Sequence, residues 1–201
     1  MEGLARLEYR GYDSAGVALV DGDHVATMKR AGKLVNLTDA LAETPLPASR
    51  TGIGHTRWAT HGGPTNVNAH PHRGGVDGKL ALIHNGIIEN FHVLKSRLLA
   101  DGVEFLSETD TEVVAQLLAR SYGETGDLTE AMRQVVAGLE GAFTLLAVHA
   151  DQPGVVVGAR RNSPLVVGLG EGENFLGSDV ALELLDEIAS LRARLRAMGG
   201  E

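Results

Sequence analysis

With 201 residues, of which 43% are hydrophobic, the chain suits one domain with a sizeable core. Its formal net charge of −8 and scattered basic residues disfavour nucleic-acid binding, and the absence of cysteine excludes disulfides, thiolate metal sites and a cysteine nucleophile among these residues. No apolar run approaches the ~18 residues that span a membrane and no signal-like leader opens the sequence, so we expect a cytoplasmic protein without membrane contact.

The first sixty residues are predicted to form two helices and three strands. Leucine spacing indicates the helices, a turn around Asp21-Gly22-Asp23 indicates a hairpin, and a short apolar run indicates a further strand. In chain order these elements are helix Glu2–Arg10, strands Ala15–Val20 and His24–Met28, helix Lys33–Glu43 and strand Thr51–Trp58.

A polar stretch at residues 59–78 is followed by an apolar strand, Lys79–His84, and then by Asn85-Gly86. By itself this dipeptide is typical of a hairpin turn. An Asn amide beside a glycine N–H can also form an oxyanion hole, so both interpretations stand at this point.

The remaining elements are three helices followed by four short strands. They are helices Asn90–Ala100, Asp110–Arg120 and Leu128–Leu139, and strands Ala142–His149, Val155–Ala159, Leu165–Val167 and Asn174–Leu176. Strand pairs alternate with blocks of helices, without the strict order of a parallel sheet. The sequence therefore predicts an α+β fold with helices stacked on mostly antiparallel sheets.

The tail at residues 182–201 is predicted to be an amphipathic helix. Its apolar residues are spaced by four and three, acidic residues lie early and arginines lie late. Two heptads are too few to establish a coiled coil. The helix would lie either on its own domain or against a partner helix.

Six of the eight histidines fall between His55 and His92, which raises the hypothesis of a metal site. His70-Pro71-His72 would supply a ligand pair only in a bent loop, because alternate residues of an extended chain point in opposite directions. Asp77 is the one nearby carboxylate in this stretch, and no HExxH motif occurs. The alternative is a set of histidines making ordinary hydrogen bonds.

Two further positions could bind a ligand. Arg57, at the end of a predicted strand and before a glycine-rich segment, could grip a carboxylate, or it could form a surface ion pair beside a Trp58 in the core. Asp110, at the start of a predicted helix, could hold a ligand ammonium, or it could cap the helix, with Ser107 as another candidate cap.

Five sequence blocks, in order, resemble the glutamine:fructose-6-phosphate aminotransferases, also called glucosamine-6-phosphate synthases. The related amidotransferases of purine and asparagine synthesis share the general layout without the first block. The blocks are Leu7–Gly16 (LEYRGYDSAG), Gly54–Gly62 (GHTRWATHG), Asn68–His72 (NAHPH), His84–Asn90 (HNGIIEN) and Ser107–Glu112 (SETDTE).

The resemblance implies a class II, N-terminal-nucleophile glutamine amidotransferase domain with a four-layer αββα sandwich. In that family a terminal cysteine thiol attacks the amide of glutamine, its own α-amine acts as base, and glutamate and ammonia are released. By matching positions, Asn85 and Gly86 would form the oxyanion hole, Arg57 would bind the glutamine carboxylate, and Asp110 would bind the ammonium. Trp58, Thr60 and His61 would shape the pocket and its lid.

The resemblance also implies a partner and argues against cofactors. A sugar-phosphate isomerase domain that handles fructose 6-phosphate would accept the ammonia, and homodimers are expected. Neither a metal nor another cofactor is expected.

Met1-Glu2-Gly3-Leu4 aligns within the first helix of the family, so we expect the cysteine-bearing segment and its strand to be missing. Residues 1–181 would then form an N-terminally incomplete type 2 amidotransferase domain, followed by the 182–201 helix. Such a chain is expected to be inactive as a glutaminase and reduced in stability. The alternative is a catalytically dead module that binds glutamine or interacts through its helix.

Overall fold

A computed structural model describes residues 1–178 and contains nine strands and five α-helices in that range. The strands are β1 (Ser14–Asp21), β2 (His24–Ala31), β3 (Gly52–Arg57), β4 (His72–Gly74), β5 (Leu80–Ile88), β6 (Gly141–His149), β7 (Val157–Arg161), β8 (Val166–Leu169) and β9 (Asn174–Gly177). The helices are α1 (Glu2–Leu7), extended by a 3-10 turn at Glu8–Arg10, α2 (Leu34–Glu43), α3 (Phe91–Ala100), α4 (Asp110–Thr125) and α5 (Leu128–Ala137). The helix predicted at 182–201 lies outside the described residues.

The strands form two antiparallel sheets and a separate two-stranded pair. The first sheet has the order β2-β1-β3, the second has the order β4-β5-β6-β7, and β8 pairs with β9. In the first sheet Ser14 of β1 lies opposite both Ala31 of β2 and Arg57 of β3. In the second sheet all nine residues of β5 pair with β6, from Leu80↔His149 to Ile88↔Gly141.

The two large sheets pack face to face, because alternate residues of their strands are apolar on the inner face. Ala18, Val20 and Ile53 of the first sheet meet Ala81 and Ile83 of the second in one buried cluster. Small and branched side chains interdigitate there and exclude water from the space between the sheets.

Helices cover both outer faces. Leu4 of α1 and Leu34 and Leu37 of α2 pack on the outer face of the first sheet. The helices α3, α4 and α5 pack on the outer face of the second sheet, where Leu80 and Leu82 are buried against them. The order helix, sheet, sheet, helix confirms the predicted α+β fold and the four-layer αββα sandwich.

Asn85-Gly86 does not form the hairpin turn that its local sequence favours. Strand β5 continues through both residues to Ile88, with Asn85 opposite Thr144 and Gly86 opposite Phe143. A β-carbon added to Gly86 would lie 2.1 Å from the carbonyl oxygen of Ala142, and the residue has φ +126. Glycine is required here because the two backbones approach too closely for any side chain.

Helix α4 also runs further than predicted, to Thr125 rather than Arg120. It ends at Gly126, whose left-handed conformation (φ +66) caps the last turn. None of the helices in the described part of the chain is long and apolar enough to cross a membrane.

Truncating Leu82 should destabilise the domain, because this side chain is fully buried between β5 and the outer helices. We expect Leu82→Ala to lower the free energy of unfolding by about 2–5 kcal/mol, as other large-to-small core substitutions do. The matched Leu106→Ala change, at a side chain that is 85% exposed, should cost less than about 0.5 kcal/mol. Urea unfolding followed by circular dichroism measures both, and equal losses would contradict the described packing.

Candidate functional site

The residues singled out in the sequence gather at one end of the sandwich, around the end of β3, the second half of β5 and the first turn of α4. Alternate residues of a strand share a face, so Arg57 lies on the face of Ile53 and Asn85 lies on the face of Ile83. Both faces line the space between the sheets. Arg57 and Asn85 therefore point into the same interlayer space near its edge.

Arg57 is buried, with 4% of its surface exposed. Its guanidinium donates hydrogen bonds to the backbone carbonyls of His61, Gly62 (3.2 Å) and Gly63 (3.4 Å). Burial lowers the pKa of Arg57, while the carboxylates of Asp110 and Asp13 act against that shift. In this structure the side chain holds the turn at residues 61–63, and the surface ion pair considered from the sequence is wrong.

The segment at residues 11–13 supports the end of β3. The Asp13 carboxylate accepts a hydrogen bond from the backbone N–H of Ala59 (2.8 Å), and the Asp13 N–H donates to the carbonyl of Arg57 (3.1 Å). A β-carbon on Gly11 would lie 2.7 Å from the Arg57 carbonyl carbon, so the two backbones are in contact. The sequence interpretation assigned Asp13 no role, although the Gly-Tyr-Asp string marked the position.

Asp110 is also buried, with 3% of its surface exposed. Its Oδ2 accepts a hydrogen bond from the N–H of Ile88 (2.9 Å) and lies 3.7 Å from Nδ1 of His84. It is the first residue of α4, and the helix cap is Thr109, whose hydroxyl accepts from the N–H of Glu112. Ser107, considered as the cap, instead contacts Thr109 through its hydroxyl (2.9 Å).

Asn85 and Gly86 lie on the strand that binds this carboxylate. Asn85 is half-buried and Gly86 is exposed on β5. Ile88, whose N–H binds Asp110, comes two residues after Gly86 on the same strand. The hydrogen bond therefore connects the first turn of α4 with the strand that carries the Asn-Gly pair.

The loop after β3 carries the three other predicted site residues. Trp58 is 61% exposed and its ring lies against Tyr12, with ring centres 5.6 Å apart, so the alternative of a core tryptophan is wrong. Thr60 is exposed on the same loop. His61 turns inward, and the centre of its ring lies 4.8 Å from the centre of the Phe91 ring.

Two groups missed by the sequence interpretation fix the rest of this loop. Asn68 and Glu108 bind reciprocally: the Asn68 side-chain oxygen accepts from the Glu108 N–H (3.0 Å), and its amide nitrogen donates to the Glu108 carboxylate (3.2 Å). The Lys29 ammonium donates to the carbonyls of Val67 (3.1 Å), Ala69 (2.8 Å) and Pro71 (3.2 Å). Lysine offers three donors, and here each one meets a carbonyl.

The clustered histidines form a buried hydrogen-bonded network with the first turn of α4. His70 contacts His55 through their Nδ1 atoms (3.2 Å) and Thr111 through Nε2 (3.0 Å). The Thr111 hydroxyl also lies 3.0 Å from His84 Nδ1. In the same way, His72 Nε2 lies 3.0 Å from the Thr109 hydroxyl.

Burial lowers the pKa of His70, His72 and His84, so these rings are neutral at neutral pH. Their nitrogens contact hydroxyls and other imidazoles. Within residues 1–178, no group of three or more histidine, aspartate or glutamate side chains is arranged to hold a metal ion.

A cavity of about 1410 Å³ lies beside this cluster rather than within it. Its lining includes Lys29, His72, Glu112, Tyr122 and His149, but neither Arg57 nor Asp110. Basic and acidic side chains are mixed on its lining. The candidate site is therefore defined by the electrostatic influence of Asp110 on Arg57 and by the bond from the strand of the Asn-Gly pair to Asp110, rather than by this cavity.

Comparisons with known proteins point to one family. Residues 55–182 match the family described as the glutamine amidotransferase domain. The glutamine–fructose-6-phosphate aminotransferase (isomerizing) of Leifsonia xyli is 69% identical over 180 residues, and that of Streptomyces coelicolor is 68% identical over 181 residues. These alignments cover 89% and 90% of this chain but 29% of each relative. The chain thus spans less than a third of the length of these relatives.

Two solved structures have a similar fold. The glutamine phosphoribosylpyrophosphate amidotransferase of B. subtilis superimposes with a TM-score of 0.71 at 28% identity, over 87% of this chain and 37% of that one. A structure described as the allosteric regulatory enzyme of purine biosynthesis gives 0.77 at 29% identity, over 92% of this chain and 40% of that one.

The neutral histidines should make stability fall in mild acid. Because their folded-state pKa values lie below the ordinary 6.5, unfolding takes up protons below that pH. Their stabilisation is complete above about pH 6.5 and is lost as the pH falls below it, by up to about 1.4 kcal/mol per pH unit for each histidine. His70→Gln removes one of these groups, so the number of protons taken up on unfolding should fall by up to one, and the slope of unfolding free energy against pH should become shallower. Urea unfolding between about pH 7.5 and 5 measures this slope.

The control for that experiment is Val167→Ala, at a side chain of β8 that is 60% exposed. It changes no titratable group, so it should leave the slope of unfolding free energy against pH unchanged. A His70→Gln variant that folds but keeps the full slope would show that His70 does not carry a buried neutral ring.

Proposed function

The chain belongs to the glutamine amidotransferase domain family, and from that premise we propose that residues 1–181 bind L-glutamine at the site around Arg57 and Asp110. In the proposed complex Arg57 binds the α-carboxylate and Asp110 binds the α-ammonium. Asn85 and Gly86 face the side-chain amide, where their N–H groups would stabilise an oxyanion. Trp58, Thr60 and His61 enclose the ligand.

One observation carries this proposal. A buried cation and a buried anion, Arg57 and Asp110, lie close enough for the Asp110 carboxylate to favour the charged form of Arg57, at the edge of a water-excluding layer. A free amino acid carries the opposite pair of charges on neighbouring groups, and a low-dielectric site strengthens such interactions. The strand that supplies the Asn-Gly pair is bonded directly to the Asp110 carboxylate.

The proposed chemistry of the family needs a thiol, and these 201 residues contain no cysteine. A serine hydroxyl within the chain lacks both the acidity of a thiol and the terminal amine that would act as its base. We therefore propose that this polypeptide by itself binds glutamine without hydrolysing it. The second candidate function is a glutamine-binding module without catalysis. For this polypeptide by itself, both candidates predict binding without hydrolysis.

The curated relatives extend the proposal to a larger enzyme. Their name implies transfer of the glutamine amide nitrogen to fructose 6-phosphate, with isomerisation of the sugar. We propose that the domain serves that reaction, with a sugar-phosphate isomerase domain as its partner and a homodimer as the assembly. We also propose a cytoplasmic location, because a sugar phosphate carries charge that a bilayer excludes.

An exposed aromatic surface supports the proposed partner domain. Tyr9, Tyr12 and Trp58 are 68%, 53% and 61% exposed, and Trp58 borders the loop that Arg57 holds. Exposed aromatic side chains of this kind are enriched at protein interfaces. A domain that receives ammonia would dock on this surface, next to the glutamine site.

Glutamine binding can be tested by calorimetry on the 201-residue polypeptide. We expect L-glutamine to bind, with no ammonia released, and Asp110→Asn to weaken binding by about tenfold or more because it removes the charge that pairs with the ammonium. The amide oxygen of the asparagine can still accept from the Ile88 N–H, so the fold should persist.

The matched control is Asp101→Asn, at an exposed carboxylate that pairs with Arg120 (2.7 Å). It should leave glutamine affinity unchanged. Failure of the unmodified polypeptide to bind glutamine would refute the proposed site, and ammonia release at an enzymatic rate would refute the proposed inactivity.

Docking can be followed through Trp58, the single tryptophan of the chain. Adding the purified isomerase domain of a close relative should shift its fluorescence to shorter wavelength, because the indole becomes buried. Tyr12→Ser should weaken this association, and Val76→Ser, at an exposed apolar residue in the β4–β5 connection, should not. An unchanged emission spectrum at saturating partner would contradict docking at this surface.

A further inference from the structure

Three buried side-chain atoms have no hydrogen-bond partner within the described residues: Ser14 Oγ, His61 Nε2 and His84 Nε2. Buried polar atoms are paired in the great majority of cases, so a group of unpaired ones needs a cause. Ser14 lies opposite Arg57 in the first sheet, the His61 carbonyl accepts from Arg57, and His84 contacts Asp110. All three unpaired atoms therefore belong to residues that touch the candidate site.

The positions of the protons around Thr111 determine whether His84 Nε2 is a donor or an acceptor. Its hydroxyl oxygen lies 3.0 Å from His70 Nε2, 3.0 Å from His84 Nδ1 and 3.4 Å from Asp110 Oδ1. A hydroxyl has one proton to donate and two lone pairs to accept with. An ionised carboxylate can only accept, so the hydroxyl proton is directed to Asp110 and both imidazole nitrogens donate to the hydroxyl oxygen.

This assignment fixes the tautomer of His84. The proton lies on Nδ1, so a neutral ring carries a bare lone pair on Nε2. Desolvation keeps the ring neutral, because burial lowers the pKa of His84 despite the opposing effect of Asp110. The side chain is 3% exposed, so its Nε2 is an acceptor shielded from bulk water, on a ring whose Nδ1 lies 3.7 Å from the Asp110 carboxylate.

We propose that His84 is a further substrate-binding residue, whose Nε2 accepts a hydrogen bond from the α-ammonium of the amino acid that Asp110 holds. This inference rests on the proposed function and deepens it. An ammonium has three N–H donors, while Asp110 Oδ2 already accepts from the Ile88 N–H. The neutral histidine supplies an acceptor that the carboxylate alone does not, and it selects for ligands with an α-amine.

Two substitutions of His84 separate this role from a structural one. In His84→Asn the shorter amide reaches the position of Nδ1, keeps contact with Thr111 and leaves the Nε2 position empty. In His84→Gln the longer amide reaches the position of Nε2 and can present its oxygen there. Calorimetric titration measures the affinity of each variant for L-glutamine and for glutaramic acid, which lacks the α-amine. His149→Asn, at a buried histidine on the lining of the large cavity, is the matched control.

If His84 contacts the ammonium, His84→Asn should lose about tenfold or more in glutamine affinity, while His84→Gln retains most of it. Glutaramic acid should bind both variants and the unmodified chain with equal affinity. His149→Asn should match the unmodified chain with both ligands, and circular dichroism should show the same fold in all variants.

Other outcomes overturn the inference. If His84→Gln weakens binding more than His84→Asn, the ring acts only through Thr111. Equal losses for glutamine and glutaramic acid would likewise mean that the ammonium is not the contacted group, while the proposed glutamine site would stand. If the unmodified chain binds no glutamine, the proposed function fails first, and the ammonium contact fails with it.

Discussion

The hydrogen bond from the Ile88 N–H to the Asp110 carboxylate determines the geometry of the site. It joins a strand of the second sheet to the first turn of the helix that covers that sheet. A buried carboxylate is costly unless it is hydrogen-bonded and near a compensating charge, and Asp110 has a backbone donor, a helix N-terminus and a nearby guanidinium. Because the carboxylate is fixed in this way, Asn85, Gly86 and His84 keep a defined position relative to it.

Hydrophobic spacing and element order predicted helices stacked on mostly antiparallel sheets, because they indicate which faces are buried. The four αββα layers were implied by the resemblance to the family, and in the structure even residues of β5 face the helices while odd residues face the other sheet. The course of β5 through Asn85-Gly86 could not be predicted from local preference. The whole strand pairs with β6, and that ladder outweighs the turn preference of two residues.

The sequence predicted which residues form the candidate site, but it did not predict the contacts that those residues make. Strand-end position indicates that Arg57 is near a ligand, yet it does not reveal that the guanidinium binds the carbonyls of residues 61–63. Likewise, clustering of histidines suggested a metal, whereas Thr109 and Thr111 contact their rings. These two histidine–threonine contacts join residues 37 and 41 positions apart in the chain, which no local pattern encodes.

Strand β3 has one free edge, since it pairs only with β1 among the described residues. A strand edge with unpaired N–H and C=O groups can add a strand from another molecule, and natural proteins cover or twist such edges to prevent this. The end of β3 carries Arg57, so self-association through that edge would also occlude the site. Ligand titrations on this polypeptide therefore need dilute, size-checked samples, because aggregated protein would appear as a reduced fraction of competent sites.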